Sequence, residues 1–250
     1  MSLNDKYENL KTKIFKDERS KEVLGGIILA MLTGNEKFCA EVMEINQYFC
    51  LPPFLNTGSE IFIDAGAYVG DTVEKFIWAN NGGFKQIYAF EPGPKQFEAL
   101  TARKERLVKE WALKSDSITI INGGLAEKEG YASLIFDEKH LLGTTLNEKT
   151  EANLDNKIKL YSLDSFLSSN YSKGTFLKSD IEGMEMSMMH GAKGTIERNK
   201  PKMALSTYHE PDDLFEIIDF VTNLVSEYRL ALRHHSPMLM DTTLYCWIED

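Results

Sequence analysis

Apolar residues recur at helical spacing along the N-terminal segment of the chain. In residues 5–47 they return every three or four positions among charged residues, which predicts helix. Gly34 and Asn35 interrupt the pattern and divide it into two helices. LPPF at 51–54 ends the helical region, because proline cannot continue a helix. We expect the apolar face to pack on the body of the protein or on a second copy of the chain. Its residues are Val23, Leu24, Ile27, Ile28, Met31 and Leu32.

After residue 60 the chain alternates between short apolar runs and amphipathic segments. The runs have the length of strands, and the segments have the periodicity of helices. This alternation predicts a parallel sheet with helices on both faces. The expected strands are EIFID (60–64), QIYAFEP (86–92), SITIING (117–123), TFLKSDIEG (175–183, with its turn) and KMALSTYH (202–209), and the expected helices cover 72–83, about 94–113, 184–198 and 212–225.

The middle of the chain is less regular. YASLIF (131–136) and KIKLYSLD (157–164) are predicted to be strands that pair as an antiparallel insertion. The segment between them, 137–156, is polar and rich in turn residues, which predicts a long loop. We expect this loop, with His140 and the Thr144–Thr145 pair, to fold over an acceptor molecule.

The C-terminal pattern completes a prediction of fold. YRLALRHH (228–235) and TTLYCWIE (242–249) are joined too closely for a helix, which predicts an antiparallel hairpin at the sheet's edge. Five strand–helix steps and such a hairpin are typical of Rossmann-like class I methyltransferases. The predicted α/β fold is a seven-stranded, mostly parallel sheet with a β insertion. A helical cap (1–55) precedes the methyltransferase domain (56–250).

Composition narrows the possible functions. Among 250 residues, 38 are acidic and 28 basic, and the net charge of −10 argues against general nucleic-acid binding, which requires cations against phosphates. Cys39, Cys50 and Cys246 form no CxxC pair, so free thiols are expected rather than a disulfide framework or a zinc site. The longest apolar run, 23–32, is about half of what crosses a bilayer. We therefore expect a cytoplasmic protein without a membrane span.

A glycine-containing loop follows the first predicted strand, at IDAGAYVGDT (63–72). Asp64 ends the strand, Gly66 allows a sharp turn that exposes backbone N–H groups, and a helix starts at Asp71. Such a helix start favours a carboxylate, for example that of methionine. The plainer interpretation is an ordinary strand–turn–helix corner. The dinucleotide motif GxGxxG is absent because position 68 is Tyr. The candidate cofactor residues of this loop are Asp64, Gly66, Tyr68, Gly70, Asp71 and Thr72.

Two further strand ends are expected beside this loop, since ligands bind beyond the carboxyl ends of parallel strands. Glu91, followed by Pro92, ends the second strand, where a carboxylate can accept hydrogen bonds from both hydroxyls of a ribose. Asn122 and Gly123 end the third strand and would lie beside an adenine. Asn-Gly-Gly is also an ordinary turn.

Several segments resemble the FkbM-type methyltransferases. They are FIDAGAYVGDT, IYAFEPGPKQF, YSLDSFL, LKSDIEGMEMSMMHGA, PKMALSTYH and RHHSPMLMDTTLYCW, so the similarity runs from about residue 46 to the C-terminus. Ser179 stands where an apolar residue is expected. The resemblance implies S-adenosyl-L-methionine as cofactor and O-methylation of a sugar or related small acceptor, in surface polysaccharide or natural-product biosynthesis. A catalytically silent cofactor-binding protein and an NAD-dependent oxidoreductase are the alternatives.

The acceptor hydroxyl needs a base to remove its proton. His209 follows the fifth strand and has a suitable reference pKa of about 6.5, and Asp180 and Glu182 follow the fourth. We expect His209 to be the base and the two acids to orient it or the acceptor. His209 could equally be a structural hydrogen-bonding residue, and the three groups together could hold a divalent metal ion.

Residues near the last strands are candidates for substrate binding. Arg233, His234 and Tyr208 are expected to contact the acceptor, with the Arg233 guanidinium against an anionic group. Pairing of Arg233 with an internal acid is the structural alternative. Lys178, on the opposite face of its strand from Ser179, is expected to be the partner of an internal ion pair.

Overall fold

A computed structural model of the chain describes residues 3–55, 58–136, 144–147, 157–167 and 174–249. The chain divides into two compact units. One comprises residues 1–54 and 202–250, and the other comprises residues 55–201. The predicted division into a helical cap and a methyltransferase domain at residues 55 and 56 stays a prediction. No helix in the described residues is both long enough and apolar enough to cross a bilayer.

The regular elements follow the predicted alternation. The helices are α1 (Leu3–Asn9), α2 (Glu18–Thr33), α3 (Lys37–Val42), α4 (Asp71–Ala79), α5 (Pro94–Glu110), α6 (Leu163–Phe166), α7 (Glu185–Gly191), α8 (Lys193–Asn199) and α9 (Asp213–Leu224), with a π-helical turn at Leu10–Ile14 and a 3₁₀ turn at Pro52–Phe54. The strands are β1 (Ile61–Ala65), β2 (Gln86–Phe90), β3 (Ile118–Ile121), β4 (Gly124–Leu125), β5 (Gly130–Phe136), β6 (Thr144–Asn147), β7 (Lys157–Tyr161), β8 (Thr175–Ser179), β9 (Lys202–Ser206), β10 (Arg229–His234) and β11 (Thr242–Trp247).

The principal sheet has seven strands in the order β10-β11-β9-β8-β1-β2-β3. β1 is parallel to both β2 and β8, and β2 is parallel to β3. β11 runs antiparallel to β9 and to β10. The prediction of a mostly parallel sheet with a C-terminal antiparallel hairpin at its edge is therefore confirmed.

A second sheet is built from the insertion, in the order β4-β7-β5-β6. The predicted antiparallel pairing of residues 131–136 with 157–164 is confirmed, with Tyr131 opposite Lys159. The prediction of one continuous loop over 137–156 is wrong at residues 144–147, where β6 pairs with β5. This strand is only four residues long and mostly polar, which is too short for a pattern of alternating side chains. His140 lies outside the described residues, as do the side chains of Thr144 and Thr145.

The core of the unit 55–201 forms around β1. All five residues of this strand are buried, because strands lie on both sides of it and helices cover its faces. Phe62 stacks on Phe76 of α4 with ring centroids 4.2 Å apart, and it lies 5.0 Å from the ring of Phe176 on β8. This aromatic packing joins α4 to β1 and β8.

The helices of the unit formed by 1–54 and 202–250 show where the helix prediction was incomplete. The predicted break at Gly34 is confirmed, since Gly34 takes the left-handed conformation that ends α2. An unpredicted break lies at Asp17, whose carboxylate accepts the backbone N–H of Ser20 as an N-cap. The Ser20 hydroxyl accepts the Leu232 N–H at 2.8 Å. Of the predicted apolar face of α2, Val23, Leu24 and Ile27 are buried and Ile28 is half-buried. The prediction is wrong for Met31 and Leu32, which are 55% and 68% exposed in the last turn of the helix.

The predicted helix 184–198 is two helices, α7 and α8, that meet at Ala192. A Cβ on Gly191 would overlap the carbonyl oxygen of Ala126. The last turn of α7 therefore lies directly against the backbone of a neighbouring segment. Such long-range contacts leave no local signal in the sequence.

Candidate functional site

Asp64 lies at the carboxyl end of β1 in a fully buried position. Opposite it in the parallel register is Lys178 of β8, whose Nζ lies 2.9 Å from Asp64 Oδ1. Burial raises the pKa of Asp64 to about 6, against the lowering effect of the Lys178 ammonium. The prediction that Lys178 forms an internal ion pair is confirmed. The second carboxylate oxygen of Asp64 has no hydrogen-bond partner among the described residues.

The loop after β1 turns at Gly66, which has φ +76°. A Cβ there would overlap the carbonyl oxygen of Asp180, so the glycine permits a close approach of two backbone segments. The N–H groups of Gly66 and Ala67 donate to the carbonyl of Phe90 at 3.1 and 2.9 Å. The close approach of Asp180 explains this glycine without a ligand. Cofactor binding at Gly66 stays a prediction.

The second half of the loop leads into α4. Tyr68 has φ +48°, unusual for a residue with a side chain, and that side chain is 37% exposed. Gly70, at φ +81°, is the N-cap of α4, and it has no side chain to accept the helix's first N–H groups. The Asp71 carboxylate lies 3.5 Å from Lys75 on the helix surface, whereas Thr72 is buried. The helix thus begins with amide donors that no capping side chain occupies.

Glu91 joins this loop to the end of β2. Its two carboxylate oxygens accept the backbone N–H of Tyr68 at 2.8 Å and that of Gly93 at 2.7 Å. Burial raises the pKa of Glu91 to about 7, although both N–H donors favour the ionised form. Each oxygen retains a lone pair for a further donor. The acid is therefore held in place and able to accept more hydrogen bonds.

The end of β3 lies beside Glu91. The amide nitrogen of Asn122 donates to the backbone carbonyl of Glu91 at 3.0 Å and lies 3.4 Å from that of Pro92. A Cβ on Gly123 would lie 2.7 Å from both the carbonyl of Lys159 and the Tyr161 ring. The structure thus brings Asn122 to Glu91, as predicted for neighbouring strand ends. Gly123 allows the close approach of β7.

The turn after β8 contains a strained residue. Glu182 is exposed and has φ +55°, followed by Gly183 at φ +90°. The buried carboxylate of Glu185 accepts the N–H groups of Ile181 at 2.9 Å and Gly183 at 3.0 Å. Glu185 thereby fixes the turn that displays Glu182, and the sequence analysis did not identify it. Glu185 is the first residue of α7 and its N-cap is Met184, so no capping pattern in the sequence marks this acid.

The other predicted residues belong to the unit formed by 1–54 and 202–250. Tyr208 and His209 follow β9, are half-buried, and have ring centroids 4.1 Å apart. Arg233 is buried, with Nη1 3.0 Å from Asp17 and 2.9 Å from the Ser20 hydroxyl. For Arg233 the structural alternative, pairing with an acid, is what the structure shows, although the side chain of Asp17 is 39% exposed. A role for Arg233 in acceptor binding stays untested.

His234 is fully buried, and its Nδ1 lies 2.9 Å from the Thr242 hydroxyl. Burial lowers the pKa of this imidazole, which favours its neutral form. The three cysteines are free thiols, as expected.

The unit 55–201 fits a nucleoside cofactor with an amino-acid end. The second Asp64 oxygen is buried and unpartnered, Glu91 has accessible lone pairs, and α4 starts without a capping side chain. These groups offer acceptors to hydroxyl and ammonium donors and offer amide donors to a carboxylate. The arrangement supplies binding and orientation at one end of the parallel strands.

The chain is similar to known methyltransferases. The family model of the methyltransferase FkbM domain matches residues 64–231. Among solved structures, the methyltransferase FkbM from Methylobacillus flagellatus KT has a TM-score of 0.78 and 24% identity, covering 98% of this chain and 58% of that one. The chain thus spans little more than half the length of that protein. A comparison with curated proteins gave no significant match.

Two more distant structures contain S-adenosylhomocysteine. A methyltransferase from Streptococcus mutans in complex with SAH has a TM-score of 0.45 and 13% identity, covering 78% of this chain and 94% of that one. The N-terminal domain of human METTL16, also in complex with SAH, has a TM-score of 0.42 and 12% identity, covering 78% of this chain and 64% of that one.

Proposed function

The chain belongs to the FkbM methyltransferase family, and on this premise we propose that it methylates an oxygen of a sugar or related small acceptor. Its methyl donor is S-adenosyl-L-methionine. The observation that carries the proposal is Glu91, whose buried carboxylate is held by the N–H groups of Tyr68 and Gly93 at the end of β2. A fixed acid in that place can accept both ribose hydroxyls.

The proposed cofactor contacts follow the strand ends. Glu91 and Pro92 face the ribose, and Asn122 and Gly123 border the adenine. The methionine end lies along the loop between β1 and α4, where the first amides of α4 receive its carboxylate. The residues of that loop are Asp64, Gly66, Tyr68, Gly70, Asp71 and Thr72.

Methyl transfer needs mainly alignment and a base. When bound, the cofactor supplies a methyl group on a positively charged sulfur. We propose that His209 takes the proton of the acceptor hydroxyl, and that Asp180 and Glu182 orient the acceptor or the imidazole. Two features support these roles: Glu182 is exposed in a strained, fixed turn, and His209 is half-buried after β9.

The acceptor is expected to touch Tyr208, which is half-buried next to His209. Arg233 and His234 are engaged by Asp17 and Thr242, so they would act on this region by holding β10 and β11 in place. We also infer a biosynthetic role in surface polysaccharides or natural products, and a cytoplasmic location. Support for the location comes from the free thiols of Cys39, Cys50 and Cys246.

The proposal is tested by binding and turnover measured on the same protein. Calorimetry with S-adenosylhomocysteine should give a dissociation constant that Glu91→Gln weakens at least tenfold, about 1.4 kcal/mol. Glu98→Gln, an exposed acid of α5, is the matched control and should bind like wild type. Binding of NAD in place of S-adenosylhomocysteine would make the chain an oxidoreductase candidate and overturn the proposal.

Turnover is measured as S-adenosylhomocysteine formed from S-adenosylmethionine with a panel of methyl glycosides and nucleotide sugars. His209→Ala should lower kcat by about 10²-fold or more at neutral pH, as expected for loss of a general base. Full activity of this variant would refute the role of His209. Cofactor binding without turnover on any acceptor, including extracted polysaccharide, would favour a catalytically silent member of the fold.

A further inference from the structure

Lys178 is a fully buried cation that contacts the end of β1 and the loop that follows it. Its Nζ lies 2.9 Å from Asp64 Oδ1, 3.2 Å from the carbonyl oxygen of Ala65 and 2.6 Å from that of Gly66. Only 2% of its side chain is exposed. An ammonium group has three protons, and here three acceptors surround it. Lys178 thus makes contacts to three consecutive residues at the point where the chain leaves β1.

The opposite side of the same loop is held by β2. The N–H groups of Gly66 and Ala67 both donate to the carbonyl of Phe90, while Lys178 binds the carbonyls of Ala65 and Gly66. The peptide groups between 65 and 67 are therefore fixed from both neighbouring strands. Their orientation determines where Tyr68 leaves the loop, and the Tyr68 N–H then reaches Glu91.

Stability alone does not explain a lysine at this position. β8 is buried at all five residues, and its other core positions include Phe176 and Leu177. Replacing a buried ion pair by well-packed apolar groups is often neutral or stabilising. An apolar residue at 178 and an apolar partner at 64 could thus give an equally stable sheet. What they would not supply is the donor to the Gly66 carbonyl, whereas the Ala65 carbonyl also accepts the Asp180 N–H at 3.1 Å.

We propose that Lys178 is a positioning residue of the methyltransferase, which sets the backbone path of residues 64–66 so that the loop and the start of α4 can receive the cofactor. It acts through the loop and does not touch the cofactor. The inference rests on the proposed function, since it assigns the residue that shapes the cofactor site. It differs from a purely electrostatic role, in which Lys178 would only neutralise Asp64.

Asp64→Asn is the background that separates these two roles. In this variant position 64 has no charge to neutralise, but the carbonyls of Ala65 and Gly66 remain. We expect Lys178→Met to weaken S-adenosylhomocysteine binding at least tenfold in the Asp64→Asn background. The comparison is between Asp64→Asn and the double variant, so any direct contact of Asp64 with the ligand cancels. Ser179→Ala, the next buried position of β8, should leave the affinity unchanged.

A second readout does not require the ligand. In Asp64→Asn/Lys178→Met, amide hydrogen exchange of residues 66–70 should be faster than in Asp64→Asn alone, while exchange in β2 stays the same. The thermal midpoint of unfolding is measured for each variant to show that it is folded. The single variant Lys178→Met leaves Asp64 buried without a partner, and we expect it to be the least stable of the set.

The possible results distinguish this inference from the proposed function. If wild type binds S-adenosylhomocysteine and the two Asp64→Asn proteins bind it equally, Lys178 only neutralises Asp64 and the inference is overturned. Unchanged exchange in residues 66–70 would also overturn it. If wild type itself fails to bind S-adenosylhomocysteine, the proposed function falls, and the assignment of Lys178 to a cofactor site falls with it.

Discussion

Two opposing effects act on the pKa of the Glu91 carboxylate. It is buried, which penalises its charge, and it accepts two backbone N–H groups, which favour the charge. Burial dominates and raises its pKa from 4.5 to about 7. Since the folded pKa is the higher one, the contribution of Glu91 to folding stability is present below pH 4.5 and is lost as the pH rises through about 7. The burial of Glu91 therefore lowers folding stability at neutral pH and above.

The raised pKa of Glu91 makes cofactor affinity depend on pH. A ribose hydroxyl donates to the ionised carboxylate, so we expect S-adenosylhomocysteine affinity to be constant well above pH 7 and to fall below about 7. The decline should approach about tenfold per pH unit, as for one linked proton. Calorimetry at intervals of half a pH unit measures this decline in affinity. The series stops at about pH 6, because Asp64 titrates there. Glu91→Gln should bind weakly with a flat profile; an equally flat wild-type profile would contradict the assignment.

Glu182 carries backbone strain that can be measured separately from its carboxylate. Glu182→Ala and Glu182→Gly both remove the acid, but only glycine adopts φ +55° without penalty. We expect the free energy of unfolding, measured by urea denaturation, to be about 1 kcal/mol higher for the glycine variant than for the alanine variant. Both should lose methyl transfer alike.

The matched control for that pair is Glu197, an exposed residue within α8. There the order should reverse, since glycine in a helix costs about 1 kcal/mol relative to alanine. If Glu182→Gly is no more stable than Glu182→Ala, the turn is not strained at this residue.

At the scale of elements, the strands of the principal sheet could be predicted because each is an apolar run with a polar residue at its end. Asp64 and Glu91 were placed correctly for the same reason. The two-residue β4 and the four-residue β6 could not be predicted, because neither is long enough for a periodic pattern. β4 pairs with β7, which is distant in sequence, whereas β6 pairs with the preceding strand β5.

Contacts between elements explain some of the residues that the sequence marked as candidates for ligand binding. Gly66 and Gly123 looked like ligand-binding glycines, yet each has a backbone segment against it, at Asp180 and Lys159 respectively. Glu185 could not be recognised from the sequence, because the two backbone N–H groups that it accepts are brought to it only by the folded turn. Sequence patterns indicate burial and helix ends, but they do not show which segments approach each other.

The start of α2 provides a test at this scale. Asp17 caps the helix through the Ser20 N–H and pairs with Arg233 at 3.0 Å. We expect Asp17→Ala to lower the free energy of unfolding by about 1–2 kcal/mol, and Asp17→Asn to cost less because asparagine also caps. Urea denaturation measures both. Glu36→Ala, at an N-cap whose side chain makes no capping bond, should change stability by less than about 0.5 kcal/mol. Equal effects at the two positions would contradict the capping role.

At the scale of the whole molecule, the chain belongs to the FkbM methyltransferase family, and membership in this family does not by itself identify the acceptor. The family model begins at residue 64 and ends at 231, so β11 and the N-terminal helices lie outside it. The chain also spans 58% of the similar Methylobacillus protein. The proposed cofactor contacts all lie in residues 64–123, inside the matched segment, whereas the acceptor must be found by experiment.

All proposed cofactor contacts belong to residues 64–123, within the unit 55–201. Ligand binding should therefore protect this part of the chain and raise its stability. At a concentration about 100 times its dissociation constant, S-adenosylhomocysteine should add about 2.7 kcal/mol to the stability of whatever unfolds with its site. For a chain of this size that corresponds to a rise of about 5–10 °C in the thermal midpoint. Hydrogen exchange should slow first in residues 64–72 and 86–93. NAD at the same concentration should shift nothing, and protection that appeared only in residues 202–250 would place the cofactor elsewhere.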